Sequence, residues 1–169
     1  MIMRPISQIM RDERGAAGAE MALMVPLLVT LMFGSFELGH YFWSEHKVIK
    51  GVRDAARFAG RQPFSSYSCS AVTATGLETK IQNLARTGQI TGGTPRIALW
   101  DDVEVKVTID CDSTTQTGIY KGLAGGAKRV TVSTNPADPL EYPSLFKALG
   151  FTSYNMTLHA SSQSAVMGI

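Results

Sequence analysis

A chain of 169 residues has room for one membrane element and one modest domain. With 44% hydrophobic and 18% charged residues, it is neither a disordered chain nor a polytopic membrane protein. The formal net charge of +2 gives no reason to expect a nucleic-acid partner.

The apolar residues are unevenly spread, and that asymmetry carries most of the information. Residues 1–15 form a short polar leader with Arg4, Arg11 and Arg14 beside Asp12 and Glu13. Residues 16–36, AAGAEMALMVPLLVTLMFGSF, follow with a single charge, Glu20. An apolar helix of about 20 residues is enough to cross a bilayer. Leu23, Val25, Leu27, Leu28, Val29, Leu31, Phe33 and Phe36 together favour insertion by about 2.4–4.8 kcal/mol. A carboxylate at mid-membrane would cost about 2.5–3.5 kcal/mol, and less near one end, where Glu20 lies. Insertion wins by a narrow margin. Pro26 removes one helix hydrogen bond and predicts a bend.

Three readings compete for this segment. A cleaved secretory signal has a shorter core and a small-x-small exit, and Phe33-Gly34-Ser35-Phe36 is a poor one. A plain signal anchor accounts for the length but not for Glu20. A prepilin-type segment accounts for both: cleavage after Gly15 frees Ala16, and Glu20 becomes the fifth residue of the mature chain. The new α-amine is a positive charge in an apolar setting. A carboxylate from a neighbouring subunit turns two buried charges into one pair.

The run Arg11 to Phe42 resembles the start of the TadE-like minor pilins, or pseudopilins, of the tight-adherence (Flp-type IVb) pilus. The resemblance is carried by Gly15, Ala16, Ala17, Glu20, Met21, Pro26, Phe33, Gly34, Glu37, Leu38 and Gly39. Val52 to Ala59, VRDAARFA, resembles the helical continuation of that family. Met21 and Gly18 depart mildly from its pattern. Positive residues flank the span on both sides (Lys47, Lys50, Arg53 and Arg57 on the far one), so charge does not orient it. The resemblance implies a cytoplasmic leader, a single pass through a bacterial inner membrane and a periplasmic C-terminal domain. It implies a minor pilin that takes part in initiation or at the tip of an adhesion pilus, and that can enter the extracellular fibre. Its partners would be a prepilin peptidase, the major pilin and other minor pilins, the inner-membrane assembly platform and the lipid bilayer. The alternative is an uncleaved single-span protein whose periplasmic domain binds an envelope partner or ligand.

No breaker interrupts residues 37–62, and Pro63 ends the stretch, so one helix of roughly 70 Å is expected from about Ala16 to Gln62. Leu38, Phe42, Val48, Val52, Ala55, Ala56 and Ala59 approximate its apolar face, and Lys47, Lys50, Arg57 and Arg61 a solvated or headgroup-facing one. The layout expected is therefore a leader (1–15), a transmembrane helix (16–36), its extracytoplasmic continuation (37–62) and an α+β domain (63–169). A second helix is expected from about Ala71 to Gly88. Asp102 to Cys111 alternates as a half-buried strand, and Val130 and Val132 mark another near 128–135. Ser144 to Leu149 reads as a helical turn. Tyr154, Met156, Leu158 and Ala160 alternate with polar residues, which predicts a third strand. The fold class is α+β and pilin-like: a three-stranded antiparallel sheet packed on helices.

With the domain outside the cytoplasm, Cys69 and Cys111 are expected to pair, a closure worth about 4 kcal/mol on the loop-entropy account. Enzyme chemistry finds little support. The run from Gly122 to Arg129 lacks the glycine and hydroxyl of a phosphate loop, and Asp110, Asp112 and Thr114 lack the later positions of a calcium loop. His40, His46 and His159 have no metal-ligand spacing. No cofactor, metal or catalytic residue is expected.

Overall fold

The structure is a computed structural model that describes residues 13–114, 117–148, 150 and 155–168. Most of the leader, with Arg4 and Arg11, lies outside these residues, as do Leu149 and Tyr154. The chain falls into two compact units, Met1–Gly39 and His40–Ile169. Helix α1, Glu13–Gly60, runs through both. It is already helical at Glu13, the first described residue, three residues before the expected start.

In the first unit, residues 17–36 are exposed on every side of α1. Leu23 is 80% exposed, and Leu27, Leu28 and Leu31 are each 61% exposed. The helix is long and apolar enough to cross a membrane, and no residue of its most apolar window is buried. Pro26 sits inside it, and Thr30 Oγ1 donates to the Pro26 carbonyl at 2.8 Å.

In the second unit, α1 supplies the core. Val48, Val52, Ala55, Ala56 and Ala59 are fully or almost fully buried. Leu38 (in the first unit) and Phe42 were expected on that face but are 54% and 51% exposed. The buried row runs instead through Ser44, Val48, Val52, Ala55 and Ala59, spaced by three and four residues. A small serine takes the place where a large apolar residue was sought, and Phe42 lies well off that row. Small residues on this face permit close packing. A Cβ on Gly51 would strike the Ala85 carbonyl, and one on Gly60 would strike the Ser164 hydroxyl.

Helix α2 covers only Leu77–Thr87. Residues 71–76, expected to begin it, are a turn in which Tyr67 and Val72 form an isolated bridge. The Ser68 hydroxyl accepts the Ala71 N–H at 3.1 Å, and Thr73 donates to the Ser65 carbonyl at 2.9 Å. Such side-chain bonds compete with helix formation. Leu77, Ile81 and Ala85 then face the core.

Strands β1 (Val105–Asp112), β2 (Ala127–Thr134) and β5 (Ser161–Ala165) form one antiparallel sheet in the order β1-β2-β5. Val105 pairs with Thr134 and Cys111 with Lys128. Strand β1 begins later than expected. Asp102–Glu104 is a 3-10 turn in which the Glu104 carboxylate accepts the Asp101 N–H at 2.8 Å, and it leaves Val103 62% exposed. The third strand is also displaced. Thr157–Leu158 (β4) pairs with Leu140–Glu141 (β3) in a separate two-stranded sheet, and the main sheet takes Ser161–Ala165 instead. Leu158 and Leu140 are both fully buried, so the apolar alternation was real but served another partner. The segment SSQSA has no apolar signal; it joins the sheet where small side chains let Gly60 approach. Residues Leu145–Ala148 form the short helix α3.

Candidate functional site

Of the expected site residues, Glu20 lies on the exposed apolar part of α1. Among the described residues it has no ion-pair partner within its own chain. Gly15 and Ala16 lie within the helical backbone, and Ala16 is one turn before Glu20. Glu20 is thus the one charge on the apolar stretch from Ala17 to Phe36, near the start of the helix. It belongs to a surface with no protein cover among the described residues.

Cys69 and Cys111 are joined, with their Cα atoms 5.3 Å apart. The bond ties the loop after α1 to the end of β1 and closes a span of 42 residues. Nearby, Lys128 Nζ donates to the carbonyls of Phe64 (3.1 Å) and Tyr67 (2.6 Å). The Tyr67 hydroxyl donates to the Ala59 carbonyl at 2.7 Å, and burial pushes its pKa up to about 12. These contacts fix the far end of α1 to the sheet.

The near end of the second unit carries a row of rings that sequence reasoning missed. Tyr142 lies between His40 and Tyr41, with centroids 5.5 and 5.2 Å away, and its hydroxyl is 2.8 Å from His40 Nδ1. Trp43 extends the row beyond His40 and Phe42 beyond Tyr41. Lys47 Nζ lies 3.3 Å from the centre of the Trp43 ring and donates to the Arg96 carbonyl at 3.2 Å. Lys47 therefore departs from the solvated basic face, whereas Lys50, Arg57 and Arg61 are exposed. Tyr142 is remote in sequence, so only the fold could reveal the row. The density of rings in HYFW, residues 40–43, was the available signal.

The core beneath is organised by Trp100, which is fully buried against the α1–α2 crossing at Gly51. Arg86 of α2 holds the loop that follows the helix: it donates to the Trp100 carbonyl at 2.9 Å and pairs with Asp102 at 2.5 Å. Burial raises the Glu104 pKa, against the lowering effect of the Asp101 N–H, and the negative charges of Asp101, Asp138 and Glu141 add to the rise.

By length and apolar composition this exposed helix could cross a membrane. Residues 15–57 match the family model of TadE-like proteins. No curated protein and no solved structure matches the chain. The matched segment begins at Gly15 and contains the whole apolar stretch and much of the core-forming part of α1. Over residues 15–57, about a quarter of its length, the chain is similar to the TadE-like proteins of the tight-adherence pilus.

Proposed function

We propose that this chain is a minor pilin, or pseudopilin, that takes part in initiating or capping a tight-adherence pilus. The observation that carries the reading is the exposed apolar stretch of α1 with its lone carboxylate, Glu20, inside the family match. The span sits in the inner membrane with the second unit on the periplasmic side. A prepilin peptidase cuts between Gly15 and Ala16, and Arg11 and Arg14 keep the leader in the cytoplasm. Glu20 then meets the freed N-terminal amine of a neighbouring major or minor pilin, and the assembly platform moves the subunit on. The protein works by packing helices, with no catalytic step of its own. The cystine at Cys69 and Cys111 accords with an oxidising compartment.

The mass of the mature N-terminus tests this reading. A chain beginning at Ala16 supports it, and an intact leader favours the uncleaved anchor. Glu20→Ala should still be cut but should enter pili at a small fraction of the native level. Glu20→Asp should recover part of that loss. Normal incorporation of Glu20→Ala would remove the pairing from the mechanism.

A further inference from the structure

The second unit carries an open groove of about 320 Å³ between the first turns of its helix and the loops at residues 96–98 and 143–145. Trp43, Ala98 and Leu145 give it apolar walls, and Lys47 and Arg96 supply positive charge. Arg96 is 3.7 Å from Asp54 and so is partly neutralised. Lys47 has a carbonyl and a ring as its neighbours, neither of which cancels its charge.

Large apolar side chains stand at the edge of this groove. Trp43 is 56% exposed, Leu145 42% and Leu99, next in the chain to Ala98, 75%. Leu99 is the one non-glycine residue at positive φ among the described residues, at 68°. That region is sparsely populated by leucine, and an observed outlier of this kind points to function more than to packing.

We propose that this face docks on the anionic headgroups of the membrane that holds the N-terminal helix, with Lys47 as the charge contact and Trp43, Leu99 and Leu145 as the apolar ones. The proposal rests on the reading of residues 17–36 as a span. Trp43 follows Phe36, the last residue of the span, by seven residues, about 10 Å along the helix, so the groove begins within reach of the bilayer surface. Tryptophan and tyrosine favour that interface because each joins an apolar ring to a polar handle. Lysine adds attraction to anionic lipid while its stem stays against apolar atoms. Docking would hold the folded unit against the membrane surface before assembly and would release it when the subunit leaves the bilayer.

The full-length protein, reconstituted in vesicles, supplies the test. A spin label is placed by Leu99→Cys or Leu145→Cys with the native cystine intact, and Ile119→Cys serves as a control. Ile119 is 60% exposed and lies beside Tyr120, which packs on Phe64 beyond the far end of α1. Collisions with oxygen, which is concentrated in lipid, are compared with those of a water-soluble nickel chelate. In phosphatidylcholine vesicles containing phosphatidylglycerol, the labels at positions 99 and 145 should report lipid and the label at 119 water. Pure phosphatidylcholine or high salt should return the first two to water. Lys47→Gln should weaken docking about fivefold, the loss of one cation near an anionic surface. Water at positions 99 and 145 in stably inserted protein would overturn the docking and leave the span intact. Burial of the labels that persists in neutral lipid would point to a second protein chain and would also overturn it. Failure to insert at all would remove the span, and the docking with it.

Discussion

Helix α1 is one continuous element built in two different ways. Residues 17–36 carry Leu23, Leu27, Leu28, Leu31 and Phe36, all strongly exposed in the isolated chain. Residues 48–60 carry Val48, Gly51, Val52, Ala55, Ala56, Ala59 and Gly60, all buried. Large side chains face outward where hydrocarbon is the expected neighbour, and small ones face inward where protein packs closely. The contrast teaches that a helix written for lipid gains by covering itself with apolar bulk, whereas one written for a protein core gains by letting other backbones approach. Secondary structure is the same in both halves; what differs is the size of the residues and the partner they require.

Mutations can break this comparison, and the largest effect is expected in the core. Trp100→Ala should cost about 3–5 kcal/mol, measured by denaturant unfolding of the second unit in detergent. Leu28→Ala, in the exposed half, should leave that transition in place. A comparable loss from both would mean that the two regions are not separate in stability. The double change Cys69→Ser with Cys111→Ser should cost about 4 kcal/mol, because it frees a long loop in the unfolded chain. Reduction by dithiothreitol should lower the midpoint of the oxidised protein toward that of the double variant.

Val29→Arg addresses the other half. One central cation shifts insertion by about 3 kcal/mol, close to the whole calculated margin. Much of that variant should become extractable by alkaline carbonate, with the unfolding midpoint of the second unit unchanged. The smallest effect concerns Glu104. Its pKa is raised in the folded protein, so the folded state binds this proton more tightly than the unfolded chain does. The contribution to stability therefore falls as pH rises from the unfolded value through the raised one. Glu104→Gln keeps an oxygen to accept the Asp101 N–H and should flatten that slope. A slope unchanged from the native protein would assign it to other acids.

Much of this architecture was legible without coordinates. Apolar length alone identified a helix long enough to cross a membrane, because the thickness of a bilayer is a fixed demand that a local run of residues either meets or fails. The charge at Glu20 stood out for the same reason. Strands β1 and β2 followed from alternation, and each lies within about one turn of its expected place. Where a segment's partner was remote, pattern reading failed in specific ways. Leu158 was read as part of the main sheet, yet it pairs with Leu140, and the main sheet recruited a serine-rich segment with no pattern at all. Phe42 was assigned to the core, and Ser44 took the core position instead. Tyr142, Trp100 and Leu99 gave no local signal of the ring row, the crossing at Gly51 or the exposed rim.

The sequence by itself determined a membrane-length helix, its single carboxylate and an α+β unit with two cysteines, because each depends on properties of residues close together in the chain. Only the tertiary structure decided which strand neighbours which, which face of α1 is buried, and that rings from residues 40–43 and 142 form one row. Those outcomes depend on the close approach of backbones distant in sequence, at Gly51 and Gly60 above all, and no local periodicity encodes where such an approach will occur.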